Sequence, residues 1–161
     1  AASANQPYTN IGGTAKKGHP FAEHGAHLSD SYQFARAKKE GQPVSRWNSF
    51  AEQEAMISQV RSKLQATTTP KGDPACAINA DGWKAIGNGK ITAADILDNP
   101  LTHQKYLKSK VEYKKQPAGK VVGKEFHPDG VTTRDVEHIT IIFELDNTGQ
   151  YQVLTAFPEH P

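Results

Sequence analysis

The sequence predicts an α+β fold, with helices in its first half and an antiparallel sheet at its end. Three observations carry that expectation. Ser49-Phe50-Ala51-Glu52 has the form of a capping box, and Ile57, Val60 and Leu64 follow it at i, i+3 and i+7. After Pro117 the composition switches: Val121-Val122, Val136 to Leu145 and Tyr151 to Phe157 are rich in β-branched and aromatic residues. Between the last two runs, Asp146-Asn147-Thr148-Gly149 carries the residues that a hairpin turn selects.

In chain order, residues 1–18 are rich in Gly, Ser, Asn and Lys and read as an irregular lead-in. From Pro20 to Lys39 only Gly25 interrupts a stretch in which Phe21, His24, Leu28, Phe34 and Ala35 fall at broadly helical spacing. That predicts one helix, or two short ones broken near Gly25, closed by Gly41 and Pro43. The helix behind Ser49 should run from Phe50 to Gln65, and Thr67 to Asp73 is a loop. Thr92-Ala93-Ala94-Asp95 opens a short helix that stops at Asn99-Pro100, because the residue before a proline avoids helical backbone. His103 to Lys115 is amphipathic at best, and its lysines read as a solvated face. No repeat or linker divides the chain. Its 161 residues are the length of one ordinary domain, so a single domain over 1–161 is expected.

Hydrophobic residues make up 36% of the chain, enough for one compact core with a generous share of loop. No window approaches 18 consecutive apolar residues, so no membrane span is expected. The charge is nearly balanced, 19 Lys+Arg against 17 Asp+Glu for a net +2. That is too mild to coat nucleic acid by charge alone, since each neutralised phosphate takes its own cation, but it suits a small cationic cleft. Seven histidines could add charge near neutral pH. Cys76 is the single cysteine, so there are no intramolecular disulfides and packing alone must hold the fold. Lying between Pro74 and Ile78, it reads as a small buried hydrophobe rather than a nucleophile.

A hairpin loop of two or four residues centred between Asn147 and Thr148 would set Ile142 opposite Val153, Thr140 opposite Thr155 and His138 opposite Phe157. Alternation then puts Ile139, Ile141, Phe143, Leu145, Leu154 and Ala156 on a core face. The other face carries His138, Thr140, Ile142, Tyr151, Val153, Thr155 and Phe157, a mixture that meets solvent or lines a cleft. A three-residue loop would shift the pairing by one and move His138 away from the side of Thr155.

The densest titratable group is His19, His24 and His27, followed by Arg36. Its His-x4-His-x2-His spacing, with no accompanying cysteine or carboxylate pair, matches no zinc site, and no metal is expected. A surface cluster and an acid/base role both remain open. Asn88 to Asp95 looks like the second half of a calcium loop. Counting back from Gly89, however, puts Lys84 and Ile86 where carboxylates would have to stand, so this is a turn with a helix start. Gly12-Gly13 lacks the strand and spacing of a phosphate loop, and no Gly-x-Ser-x-Gly occurs. Trp47 and Trp83 read as core.

Histidine, arginine, threonine and lysine without a ligand set or nucleophile are the parts needed to cleave RNA without a metal. The ribose 2′-hydroxyl is itself the nucleophile, so the protein need only remove its proton and return one to the leaving oxygen. Cationic and hydroxyl donors would stabilise the charge building on the phosphorus oxygens.

Two segments carry a family resemblance. Gly18-His19-Pro20-Phe21-Ala22-Glu23-His24-Gly25 resembles the Gly-His-x-x-x-x-His opening of the bacterial RNase A-like toxin domains found at the C-termini of contact-dependent growth inhibition (CdiA) proteins and related polymorphic toxins. Leu154-Thr155-Ala156-Phe157-Pro158 resembles their terminal Leu-Thr-Ala-Tyr-Pro, and Val44 to Phe50 is similar to their Ser/Thr-Phe segment before a helix. The stretch from Pro70 to Lys115 matches nothing in the family.

The resemblance implies a kidney-shaped RNase A-like α+β fold, N-terminal helices followed by a twisted antiparallel sheet, without disulfides or cofactors. It implies a cytotoxic, metal-independent ribonuclease, secreted or surface-delivered as part of a larger toxin. Such a toxin acts on RNA in the target-cell cytoplasm, is held in check by a cognate immunity protein, and is monomeric when free. By position, His24 takes the catalytic histidine, Arg36 the arginine (one residue further along than usual) and Thr155 the threonine. Phe157 stands where the family has tyrosine, which removes a hydroxyl donor; His138 is the candidate to replace it. Phe157, Lys17 and His19 are candidate substrate contacts. A secreted binding or adaptor module without catalysis is the alternative, as is a toxin of other chemistry, a tRNA or DNA nuclease or an ADP-ribosyltransferase.

Overall fold

Where capping chemistry is explicit, helices form. The computed structural model describes residues 7–17, 23–64 and 76–161. Helix α1 spans Asp30–Glu40; Ser29 accepts the Tyr32 amide at its start, and Gly41, at φ 68°, closes it in the left-handed region. Glu23 and His24 are also helical and the backbone breaks at Gly25, which is the two-helix form of the expectation, the second helix starting at its serine cap; residues 18–22 lie outside the described part. Helix α2 covers Phe50–Leu64, with Ser49 accepting the Glu52 amide at 3.0 Å. Helix α4, Ala93–Asp98, has both halves of its capping box, Thr92 with Asp95. Helix α3, Ala80–Gly87, was not foreseen; its signal is Asn79, whose side chain accepts the Gly82 amide at 2.8 Å.

Among the described residues, strands form two antiparallel three-stranded sheets and a small hairpin, and they are not confined to the end of the chain. The hairpin is β1 (Pro7–Thr9) with β2 (Ala15–Lys17). One sheet runs β3 (Val44–Trp47), β5 (Gly123–Phe126), β6 (Thr133–Val136); the other runs β4 (Lys110–Pro117), β7 (His138–Leu145), β8 (Tyr151–Glu159). The α+β class with antiparallel pairing therefore holds. The order does not: β1 to β3 precede α2. Part of the segment read as an amphipathic stretch, His103 to Lys115, is strand β4, in which buried Val111 and half-buried Tyr113 alternate with exposed Lys110, Glu112 and Lys114. Lys110 and Lys114 do form a solvated face, on the two-residue period of a strand.

The terminal hairpin also departs from the expected register. Leu145 pairs with Tyr151 and Phe143 with Val153, so the loop has an odd number of residues. Val153, not Leu154, therefore joins the core face. The register then shifts between Ile142 and Phe143, with Leu154 as the extra residue on β8, a β-bulge. Beyond it, Ile142 faces Thr155, Thr140 faces Phe157, and His138 faces Glu159 rather than Phe157. The odd loop and the bulge offset one another in parity, so Thr155 and Phe157 share a face with Thr140 and His138.

Helix α2 lays Met56, Ile57, Val60 and Leu64 on the β4–β7–β8 sheet, against Val111, Ile139, Ile141 and Phe143. A second cluster, Cys76, Ala77, Ile78, Ile96, Leu107 and Leu145, lies under α3 and α4. The two sheets meet along β8. Trp47, fully buried, donates its indole N–H to the Ala156 carbonyl at 3.1 Å. Gly123 leaves room for Pro158: a Cβ there would stand 2.3 Å from Pro158 Cγ and 2.6 Å from the Arg46 carbonyl oxygen.

Gly123→Ala should therefore lower stability by about 1–3 kcal/mol, read as a reduced urea midpoint; an unchanged midpoint would mean that β8 is not clamped there. Asp146 supplies a second test. Burial pushes its carboxyl pKa up, but hydrogen bonds from Gln152, Thr148 and Gln150 outweigh that and leave it lowered. Stability from a depressed carboxylate is present above its unfolded value, about pH 4, and is lost as pH falls through the folded one. Asp146→Asn should be less stable than the parent at pH 7, with the gap narrowing by pH 3. A gap of equal size at both would contradict the assignment.

Candidate active site

Helix α1 turns Gln33, Arg36, Ala37 and Glu40 to one side by their i, i+3, i+4, i+7 spacing. Gln33 and Ala37 are buried; Arg36 and Glu40 flank them at the rim of a groove of about 330 Å³. Its opposite wall is the end of β8, Phe157 and Glu159, continued by His160; Val44 and Ser45 of β3 and Glu125 of β5 complete it. His24, in the segment before α1, enters the same groove.

His24 is 8% exposed and is fixed on two sides. Its ring stacks on Phe157, with centroids 5.0 Å apart and planes inclined by 29°. Its Nδ1 lies 2.9 Å from the Ser45 carbonyl oxygen and 3.3 Å from Ser45 Oγ. A carbonyl only accepts, so the shorter contact needs a proton on Nδ1, and the neutral ring then keeps its lone pair on Nε2. Nε2 is 3.9 Å from a Glu23 carboxylate oxygen.

Arg36 is braced. Nη1 donates to the Glu23 carbonyl and, at 3.0 Å, to Gln33 Oε1, while Nε lies 3.5 Å from Glu40 Oε2. Nη2 has no partner among the described residues. The other two carboxylates of the groove also have neighbours: Glu125 lies 2.9 Å from His127 Nε2, and Glu159 accepts from Thr140 Oγ1.

Of the residues singled out in the sequence, His24, Arg36 and Phe157 line one groove. Thr155 lies one strand repeat before Phe157 on the same face; it is buried and its Oγ1 has no hydrogen-bond partner among the described residues. His138 stands at the start of β7 opposite Glu159 and is not among the lining residues. Lys17 ends the β1–β2 hairpin, exposed. That hairpin is fastened to the turn end of β7–β8, through Ile11 N–H to the Leu145 carbonyl and Tyr8 OH to Glu144. His19 lies outside the described residues.

Sequence reasoning passed over Gln33, Glu40, Glu125, Glu159 and His160. For Gln33 a signal existed: it holds the inward position of the α1 face, where polarity masked it. His160 differs from His138 in lying beyond the last strand, where alternation gives no guide.

No protein-family model matches the chain, and no curated protein matches it. Among solved structures, the chain is similar to the crystal structure of a CdiA-CT/CdiI complex from Y. kristensenii 33638, at 19% sequence identity and a TM-score of 0.47, covering 85% of this chain and 95% of that one. A likeness of that size assigns neither chemistry nor a partner.

Proposed function

We propose that this chain is a single-domain, RNase A-like endoribonuclease that cuts RNA by 2′-hydroxyl transphosphorylation. The supporting observation is the seating of His24: stacked on Phe157, bound through Nδ1 to the Ser45 carbonyl, and sharing its groove with Arg36. An imidazole held with its lone pair on Nε2 is a general base for a ribose 2′-hydroxyl. As that proton moves to Nε2, the 2′-oxygen bonds to phosphorus and the P–O5′ bond breaks, leaving a 2′,3′-cyclic phosphate. The departing 5′-oxygen needs a proton. His160, the second histidine of the lining, is the donor in this reading, in the place first considered for His138. Arg36, through Nη2, would meet charge on the phosphorus oxygens, and the buried hydroxyl of Thr155 would steady the phosphate once substrate is bound.

With the sequence resemblance, the biological reading is a toxin delivered as part of a larger protein into the cytoplasm of a competing bacterium, with a cognate immunity protein covering the groove. One observation favours a different reading. Glu40, Glu125 and Glu159 outnumber Arg36 in the lining, which suits a non-catalytic module accepting a basic side chain of a partner protein.

Cleavage of a fluorogenic oligoribonucleotide in EDTA separates the two. The parent should cut, and His24→Ala should cut about 10²- to 10⁴-fold more slowly. A parent that leaves RNA intact, or a variant that cuts equally well, would overturn the ribonuclease assignment. Thr155→Val is the sharper control. Replacing a buried hydroxyl that has no partner among the described residues by a methyl should leave the melting temperature unchanged or higher while slowing cleavage about tenfold. Equal rates would remove Thr155 from the site.

A further inference from the structure

Gln33 is fully buried, which a glutamine tolerates only if its polar atoms find partners. All of them do. Nε2 donates to the Ser45 carbonyl at 3.0 Å and the Glu23 carbonyl at 3.2 Å; Oε1 accepts from Arg36 Nη1 at 3.0 Å. Turning the amide over would set Oε1 against two carbonyl oxygens and the amino group against a guanidinium, so these partners fix its orientation.

One of the two carbonyls is the acceptor for His24 Nδ1, and the other belongs to the residue immediately before His24. Ser45 Oγ, at 3.3 Å from Nδ1, could select the opposite tautomer by donating to it. What opposes that is a carbonyl at the shorter distance, held in place by the Gln33 amide. A methionine or leucine would fill the same volume without burying an amide, so packing does not account for the choice.

We propose that Gln33 is a positioning residue: it pins the Ser45 and Glu23 carbonyls around the imidazole, holds His24 as the Nδ1–H tautomer, and so keeps a basic lone pair on Nε2. This rests on reading His24 as the proton carrier of the groove. Because the same amide also receives Arg36, the guanidinium and the imidazole are set by a single side chain.

Histidine-selective ¹⁵N labelling with long-range ¹H–¹⁵N NMR reads the tautomer directly, His24→Ala identifying the signals. In the parent, neutral His24 should carry its proton on Nδ1. In Gln33→Met, close in volume but without donors, the population should shift toward Nε2–H. Its kcat for RNA cleavage should fall about tenfold or more, with KM within about twofold. Gln33→Asn, an amide one methylene too short, should give the same signature and serves if the methionine variant does not fold. A parent protonated on Nε2 overturns the proposal without any variant, as does a folded variant with parental tautomer and kcat. If His24→Ala cleaves like the parent, the ribonuclease reading falls, and the tautomer still decides the role of Gln33.

Discussion

The clamp on strand β8 is the constraint on which the rest of the molecule depends. Its last residues belong to two sheets: they pair with β7, and they are held against β3 and β5 by the Trp47 indole on the Ala156 carbonyl and by the close seating of Pro158 on Gly123. Phe157 lies between those two fixed points. The platform on which His24 stacks is therefore set by backbone contacts on either side of it, and an imidazole brought in from the segment before α1 can be held to a definite geometry. A site assembled from separate elements gains precision when a clamped strand supports it.

The electrostatics of the groove follow from the same arrangement. One guanidinium faces three carboxylates, yet each carboxylate has a local partner: Glu40 lies against Arg36 Nε, Glu125 against His127, and Glu159 receives Thr140 Oγ1. Arg36 is in turn tied to the Glu23 carbonyl and to Gln33. Rigid anchoring of this kind lowers the reorganisation needed when charge develops nearby, which is where preorganised donors gain over water. It also makes the groove intolerant of losing one member, because the remaining buried polar groups would be left unpaired.

Much of the fold was legible where local chemistry is strong. The serine cap of α2, the capping box of α4 and the turn at Asp146–Gly149 are all where side-chain hydrogen bonding dictates. The failures have a common physical origin. Strands β3 and β5, four residues each with Arg46, Lys124 and Glu125 among them, are stabilised by pairing partners far along the chain and carry little local pattern. Register failed for a related reason: an odd loop and the bulge at Leu154 are backbone events, and only their combined parity returned Thr155 and Phe157 to one face. In the groove, His24, Arg36 and Phe157 are named through the motifs of the family resemblance. The Ser45 carbonyl could not be, because every residue has a carbonyl and only the fold selects one as an acceptor. Gln33 shares that difficulty, since its meaning lies in two backbone oxygens.

The central claim is that the groove positions a base for the ribose 2′-hydroxyl. End-group analysis of RNA cut in EDTA tests it most directly, using one oligonucleotide that is all ribose and another with a 2′-deoxy residue at the cleaved position. The account predicts a 2′,3′-cyclic phosphate and a 5′-hydroxyl from the first and an intact second strand. Cleavage of the 2′-deoxy strand, or a 5′-phosphate end, would contradict it.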